Sequence, residues 1–302
     1  MKAQYLSLLL AATFVASSPA KAAIDVLTCE PEWAALVTEI GGDKVKAYSA
    51  TTAFQDPHHI EARPSLISKA RKADLLFCTG AELEIGWLPV LLSKSGNPNI
   101  QPNTQGYLMA TDYVELLEKL EKVDRSMGDV HAAGNPHVHL DPNRVIKISA
   151  EVASRLSQID PANKGLFQQN QQQFKSNIEK FLSDNASEIN KLAGMRWIVH
   201  HKNWVYLNEW LGLEQVATLE PKPGIPPTTK HLASLLKTIQ QQDITVIAYG
   251  SYQSDKAAKW LSGKSGIPFV QMPYTVDKWQ EPNALVNWYK DVLVTLTSNL
   301  GK

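Results

Sequence analysis

The chain has few cysteines, no net charge and a single long apolar run. Its 302 residues include two cysteines, and 30 lysines and arginines balance 30 aspartates and glutamates. Neither cysteine has a second one at zinc-finger spacing, which argues against a finger of the two-cysteine, two-histidine type. Nucleic acids and anionic membranes bind clustered positive charge, so the balanced composition argues against both as partners.

The apolar run lies at the N-terminus and predicts an export signal. Lys2 precedes the apolar residues 5–17, and residues 20–22 fit an A-x-A cleavage site. A membrane-spanning helix needs about 20 apolar residues, so this run is too short for one. Cys29 lies well past the run, which disfavours a lipid-anchored cysteine. We expect residues 1–22 to be a signal peptide and the remainder to be a periplasmic monomer without a lipid anchor.

The two cysteines each follow a short apolar run that predicts a strand. Cys29 comes after residues 24–28, and Cys78 comes after residues 74–77. If these strands are neighbours, a disulfide can form in an oxidising compartment. The alternative is two buried thiols, since a free cysteine packs well as a small apolar residue. We favour the disulfide.

The order of apolar patterns predicts an α/β fold with two lobes. About 280 residues remain after the signal, which exceeds the usual size of a single core. Short strands alternate with helices over residues 23–159 and again over 195–302, a pattern typical of parallel sheets flanked by helices. Between them, apolar residues from Phe167 to Leu192 recur every three, four or seven positions. This spacing predicts one rigid linker helix of about 30 residues within 160–194.

Seven of the eight histidines fall in or just before three short segments that lie far apart along the chain. The segments are Asp56-Pro57-His58-His59, Asn135-Pro136-His137-Val138-His139 with His131 shortly before it, and His200-His201. Imidazole is the commonest protein ligand for zinc and its neighbours. In open parallel sheets, ligands bind beyond the carboxyl ends of the strands, where these segments are expected. The sequence therefore predicts a shared metal site in a cleft between the lobes.

These segments and their neighbours resemble the successive signatures of one family. The matching elements are Asp56-Pro57-His58 with Glu61, Asn135-Pro136-His137 followed by Leu140-Asp141-Pro142, and His201 with Trp204 and Tyr206. The family is the metal-specific substrate-binding proteins of ABC importers, the zinc and manganese class whose lobes are joined by a rigid helix. The resemblance covers nearly the whole mature chain. It implies His58, His137 and His201 as metal ligands, an ABC permease and ATPase as partners, and no catalysis.

The resemblance leaves the ion and its fourth ligand to be argued separately. Manganese members commonly place a carboxylate where His201 stands, and three imidazoles suit zinc better than manganese. Zn²⁺ is therefore the expected cargo, ahead of Mn²⁺, Cu²⁺ or Ni²⁺. Family members often supply a fourth ligand, an aspartate, after the last strand, but residues 270–274 contain no carboxylate. Asp277, Glu61, His131 or a water molecule remain as candidates.

The other histidines are assigned by simpler reasoning. His131 and His139 are interpreted as solvated loop residues, with a small second site or a capture path as the alternatives. His59 and His200 should point away from the site, because successive side chains alternate in direction. His231 lies on a predicted helix and is expected at the surface.

Two other functions compete with metal delivery to a permease. An exported zinc hydrolase needs an open metal position beside a general base, but the sequence has no His-Glu-x-x-His helix. A metal-binding adhesin or scavenger that never meets a permease is the third hypothesis. The pattern favours a periplasmic protein that captures Zn²⁺ between two lobes and delivers it to an ABC permease.

Overall fold

The computed structural model describes residues 22–122, 124 and 127–299. The predicted signal peptide therefore lies outside the described residues, except for its last position. Among the described residues, no helix has the length and apolar character required to cross a bilayer.

The described chain folds as two parallel four-stranded sheets with helices around them. The strands are β1 Ile24–Thr28, β2 Val45–Ser49, β3 Leu75–Cys78, β4 Tyr107–Met109, β5 Arg196–Val199, β6 Glu214–Thr218, β7 Val246–Gly250 and β8 Phe269–Met272. The helices are α1 Pro31–Gly41, α2 Pro64–Lys72, α3 Leu88–Ser95, α4 Pro142–Ile159, α5 Lys164–Asp184, α6 Ala186–Leu192, α7 Val205–Leu211, α8 Thr229–Gln241, α9 Lys256–Ser265 and α10 Ala284–Thr297. The predicted two-lobe α/β architecture is confirmed.

The two sheets share one topology, which sets the location of the site. The strand order is β2-β1-β3-β4 in the first sheet and β6-β5-β7-β8 in the second. The strands that follow β1 are added first on one side of it and then on the other, and the same holds for β5. Each sheet therefore has a switch point, between β1 and β3 and between β5 and β7, where the loops diverge beyond the strand ends. Strand β3 is buried along its whole length, as expected for a parallel strand covered on both faces.

A long helix joins the lobes as predicted, but it is shorter than the single helix of about 30 residues that the periodicity predicts. Helix α5 has 21 residues, and helix α6 follows it with seven. At Asn185 the side-chain amide donates to the Phe181 carbonyl at 2.7 Å. Local side-chain bonds of this kind compete with continuation of a helix, and α5 ends at Asp184. The predicted apolar stripe is present, with Phe167, Phe174 and Ile178 fully buried.

Cys29 and Cys78 form a disulfide that joins the ends of two neighbouring strands. β1 and β3 are paired in parallel, and the two Cα atoms lie 4.7 Å apart. Both residues are completely buried. A second close group, formed by these cysteines and Glu84, therefore offers no thiolate to a metal ion.

Removing this disulfide is expected to lower the free energy of unfolding by about 2–4 kcal/mol, because the cross-link restricts a long segment of the unfolded chain. The link spans 49 residues. Urea unfolding of the Cys29→Ala/Cys78→Ala double variant measures this loss. As a control, a reductant should not change the unfolding of the double variant, which has no disulfide to reduce. A midpoint identical to that of the oxidised wild type would contradict the prediction.

Candidate metal centre

Three histidines from the two lobes converge on one point. The ligand atoms of His58, His137 and His201 all lie within 4.8 Å of one another. Their ring centroids are 5.8–6.3 Å apart, and the ring planes are steeply inclined to each other. The exposed fractions of the three residues are 9%, 1% and 6%, so the group is almost enclosed. The structure thus brings together the three residues that the sequence singles out.

The Asx-Pro-His segments have a local structural reason. In the first, the Asp56 side chain accepts a hydrogen bond from the His58 backbone N–H at 3.0 Å. In the second, the Asn135 side chain accepts one from the His137 N–H at 3.1 Å. Aspartate and asparagine favour this turn, and the intervening proline has no N–H of its own to satisfy. Each segment therefore fixes the backbone on which its histidine is carried.

Each of the three rings is held through its Nδ1 atom. His58 Nδ1 is 2.8 Å from the Asp56 carboxylate, and His201 Nδ1 is 2.7 Å from the Glu220 carboxylate. A carboxylate accepts a hydrogen bond, so these rings carry their proton on Nδ1 and leave the Nε2 lone pair available.

His137 is the ring with an uncharged partner. Its Nδ1 lies 2.8 Å from the Tyr274 hydroxyl group, which comes from the opposite lobe. All three rings can therefore present Nε2 to one ion, which is the orientation required of zinc ligands.

Burial keeps the central ring unprotonated. Desolvation, followed by the neighbouring imidazoles of His58 and His201, lowers the pKa of His137 well below the ordinary value of 6.5. For Asp56, burial raises the pKa, but the hydrogen bonds from His58 outweigh it and the net shift is downward. The central ring is thus neutral, and the carboxylate beside His58 is ionised, at neutral pH.

His131 lies against this cluster and is not the solvated loop residue that the sequence suggests. Its Nε2 atom is 3.3 Å from Nε2 of His58. Burial, then the rings of His58 and His201, lowers its pKa to about 4. His131, His137 and His201 border a cavity of about 350 Å³ that opens to solvent.

His139 is also buried, contrary to the expectation of a solvated residue. Its exposed fraction is 1%, and its Nε2 donates to the Tyr274 carbonyl at 3.2 Å. Its Nδ1 lies 3.3 Å from the Glu32 carboxylate, a close electrostatic contact rather than an aligned hydrogen bond. Thr275 donates its hydroxyl to the same carboxylate. Glu32 and His139 therefore join the two lobes below the cluster, through a set of contacts that we call the interlobe seam.

The carboxylates proposed from sequence as a fourth ligand lie elsewhere. Asp277 is exposed and lines a separate cavity with Lys278 and Glu281. Glu61 is exposed as well. Neither belongs to the histidine group found among the described residues.

Three other histidines stay outside the group, among the residues that the structure describes. The His59 side chain is 68% exposed and lies 3.8 Å from Asp129, as expected for the outward member of its pair. His200 is buried, with Nε2 3.7 Å from Glu220. His231 is half-buried rather than a surface residue, because its Nε2 donates to the Thr218 carbonyl at 2.9 Å.

Sequence reasoning missed the residues that orient the rings. Glu220 follows β6 and Tyr274 follows β8, so both lie where a parallel sheet places its ligand loops. Their position directly after a strand is the signal by which the sequence could have identified them. Trp204 packs edge-on against Tyr274 at a centroid distance of 5.9 Å. Tyr206 donates its hydroxyl to the Asn135 carbonyl at 2.6 Å.

Comparison with known sequences gives a family and several distant relatives. Residues 26–302 match the model of the ZnuA family, described as zinc-uptake complex component A, periplasmic. The manganese ABC transporter substrate-binding lipoprotein PsaA of Streptococcus mitis is 23% identical over 275 residues, which are 88% of this chain and 86% of that protein. The zinc-binding lipoprotein AdcA of Streptococcus pneumoniae strain R6 is 25% identical over 233 residues, 76% of this chain and 45% of that protein. Both relatives are named lipoproteins, which does not agree with the expected absence of a lipid anchor.

Comparison with solved structures gives the same fold. A crystal structure of ZnuA superposes with a TM-score of 0.77 at 21% identity, covering 91% of this chain and 98% of that one. The Mn²⁺ complex of FpvC from Pseudomonas aeruginosa has a TM-score of 0.76 at 20% identity, covering 93% of this chain and 98% of that one.

Proposed function

Because the chain belongs to the family of the periplasmic component A of zinc-uptake complexes, we propose that it captures Zn²⁺ in its interlobe cleft for delivery to a permease. The family consists of metal-binding components of ABC importers that bind a substrate for transport and are not enzymes. Its members act outside the cytoplasm, as the substrate-binding partners of permease and ATPase components. The ion that this chain carries and the residues that bind it are both our proposals.

The choice of zinc over manganese rests on the ligand types in the histidine cluster. Among the described residues, the group of His58, His137 and His201 includes no carboxylate. Imidazole nitrogen suits zinc, whereas manganese prefers carboxylate, carbonyl and water oxygen. An all-nitrogen set therefore favours Zn²⁺ over Mn²⁺.

We further propose His131 as the fourth ligand. Two nitrogen ligands at about 2.0–2.1 Å from a tetrahedral zinc ion are roughly 3.3 Å apart. The Nε2 atoms of His58 and His131 have that separation, 3.3 Å. Asp277 and Glu61 are exposed, whereas His131 contacts a ring of the cluster, so His131 is the best placed of the candidate side chains.

Metal uptake by cells tests the proposed function. Cells that lack the chain are expected to lose high-affinity ⁶⁵Zn uptake and to keep ⁵⁴Mn uptake, and restoring the chain should restore zinc uptake alone. Direct Mn²⁺ titration of the pure protein should show weak binding, because nitrogen ligands bind zinc more tightly than manganese. A loss of manganese uptake with unchanged zinc uptake would contradict the proposal.

The number of protons released on binding is a further prediction. Coordinating imidazoles must be neutral, so affinity falls as pH falls through the pKa of each ligand. Four ordinary histidines would release about three protons per zinc at pH 6. The pKa of His131 is lowered to about 4 and that of His137 is also strongly lowered, so both are already neutral there. We expect no more than two protons per zinc, measured by calorimetry in buffers of different ionisation enthalpy; three or more would contradict it.

We also propose that neither cysteine carries a lipid. Cys29 and Cys78 are the two cysteines of the sequence, and they are bonded to each other. A lipid-modified cysteine would need a free thiol. Mass spectrometry of the protein from its own membrane and soluble fractions tests this, and an acylated peptide containing Cys29 would contradict it.

A further inference from the structure

A zinc ion bound by the cluster would bring two positive charges into an almost closed cleft without a ligand of opposite charge. The three ring residues are at most 9% exposed, and imidazole ligands are neutral when they coordinate. Burying an uncompensated charge is costly, so compensating charges must lie close by. Asp56 and Glu220 are the two carboxylates in contact with these rings among the described residues, at 2.8 Å and 2.7 Å from Nδ1.

We propose that Asp56 and Glu220 are specificity-determining residues that select a divalent over a monovalent cation through their charge, although neither touches the ion. This inference rests on the proposed capture of a metal ion by the cluster. Two carboxylates match the charge of one dication. They come from opposite lobes, so the full compensation exists only where both lobes face the same ion.

The contacts around Glu220 show that it is built into the site. Its side chain is 12% exposed, and it accepts hydrogen bonds from His201 Nδ1 and from the Gly224 N–H at 3.0 Å. Its other oxygen is 3.7 Å from His200 Nε2. Asp56 is more exposed, at 39% of its side chain, and one of its oxygens accepts from both the ring and the backbone N–H of His58. Both charges are thus held in place before an ion arrives.

The physical signature of this role is a dependence on ion charge. Coulomb energy is proportional to the product of the charges, so removing one carboxylate costs a dication twice the free energy that it costs a monocation. The fold loss for Zn²⁺ should therefore be the square of that for Cu⁺, which has the same electron count and also binds imidazole. A group that merely orients the ring would weaken both ions by the same factor.

The test is the affinity of Zn²⁺ and, without oxygen, of Cu⁺ for Glu220→Gln and Asp56→Asn, measured by competition with chelators. Each amide keeps an oxygen that can accept from Nδ1. We expect an affinity loss of about 10- to 100-fold for Zn²⁺, the usual effect of changing such a partner, and about 3- to 10-fold for Cu⁺. Equal losses for the two ions in both variants would overturn the inference.

Two further variants serve as controls. One tests whether ring orientation alone changes the affinity ratio of the two ions, and the other tests whether any negative charge at the cavity changes it. Tyr274→Phe removes the uncharged partner of His137 and should weaken both ions equally. Asp129→Asn removes a carboxylate that lines the same cavity but contacts the non-ligand His59, and it should leave the affinity ratio unchanged. A ratio shift in Asp129→Asn as large as that in Glu220→Gln would overturn the inference.

The outcomes for wild type and variants also distinguish the two proposals. If the wild-type protein binds no Zn²⁺, the proposed function fails. If the wild type binds one Zn²⁺ and the variants lose Zn²⁺ and Cu⁺ equally, only the charge-selection inference fails. Circular dichroism of each variant establishes that it is folded, and Asp56→Asn, on the other lobe, gives an independent result if Glu220→Gln does not fold.

Discussion

His137→Ala is expected to lower zinc affinity by roughly 100- to 1000-fold. Four-ligand zinc sites bind with about 10–16 kcal/mol, so each ligand contributes about 2.5–4 kcal/mol. His137 is the most buried of the three rings and is held from both sides of the cleft, by Asn135 on its own segment and by Tyr274 of the other lobe. Titration against a competing chelator measures the loss.

The twin histidines provide a matched control. His58→Ala should lose affinity to a similar extent, whereas His59→Ala should bind like the wild type, because the His59 side chain is 68% exposed. His231→Ala, on helix α8, should also bind normally. Loss of binding in His59→Ala together with normal binding in His58→Ala would contradict the assignment of ligands.

Glu32→Ala is expected to lower the free energy of unfolding by about 3–5 kcal/mol, because it removes one member of a buried pair. The Glu32 and His139 side chains are each 2% exposed and lie 3.3 Å apart. The same carboxylate accepts a hydrogen bond from Thr275 of the second lobe. The substitution therefore leaves two buried polar groups without this partner, one on each side of the interlobe seam. Urea unfolding of the metal-free protein measures the effect.

Glu32→Gln serves as the control for this prediction. Its amide oxygen can still accept from Thr275, so we expect a smaller loss than in Glu32→Ala. Zinc affinity should fall in Glu32→Ala as well, since Tyr274 links the seam to His137. Unfolding midpoints that are the same for both variants and the wild type would show that the seam does not hold the lobes.

The parts of the fold that depend on local patterns were predictable from sequence. Apolar runs such as Leu75–Cys78 alternate with helical periodicity, and this order alone predicts parallel sheets in two lobes. The Asx-Pro-His segments were visible because their turn is fixed by adjacent residues. The break at Asn185 was missed because periodicity registers apolar positions and not a side-chain bond to the Phe181 carbonyl.

Contacts between distant residues could not be predicted in this way. His139 looks like a loop histidine until Tyr274, 135 residues further along, comes next to it. Glu220 likewise acquires its role only when β5 and β6 pair and bring it to His201. The sequence shows that a residue is polar, but the tertiary fold decides which group becomes its hydrogen-bond partner.

The central claim is that one zinc ion is shared by histidines of both lobes. Anomalous diffraction at the zinc edge, from crystals of the protein loaded with one equivalent of Zn²⁺, tests it directly. We expect a single peak at about 2.0–2.1 Å from Nε2 of His58, His137, His201 and His131. A peak at the exposed His59 and Asp129, or one bound by the first lobe alone, would contradict the claim.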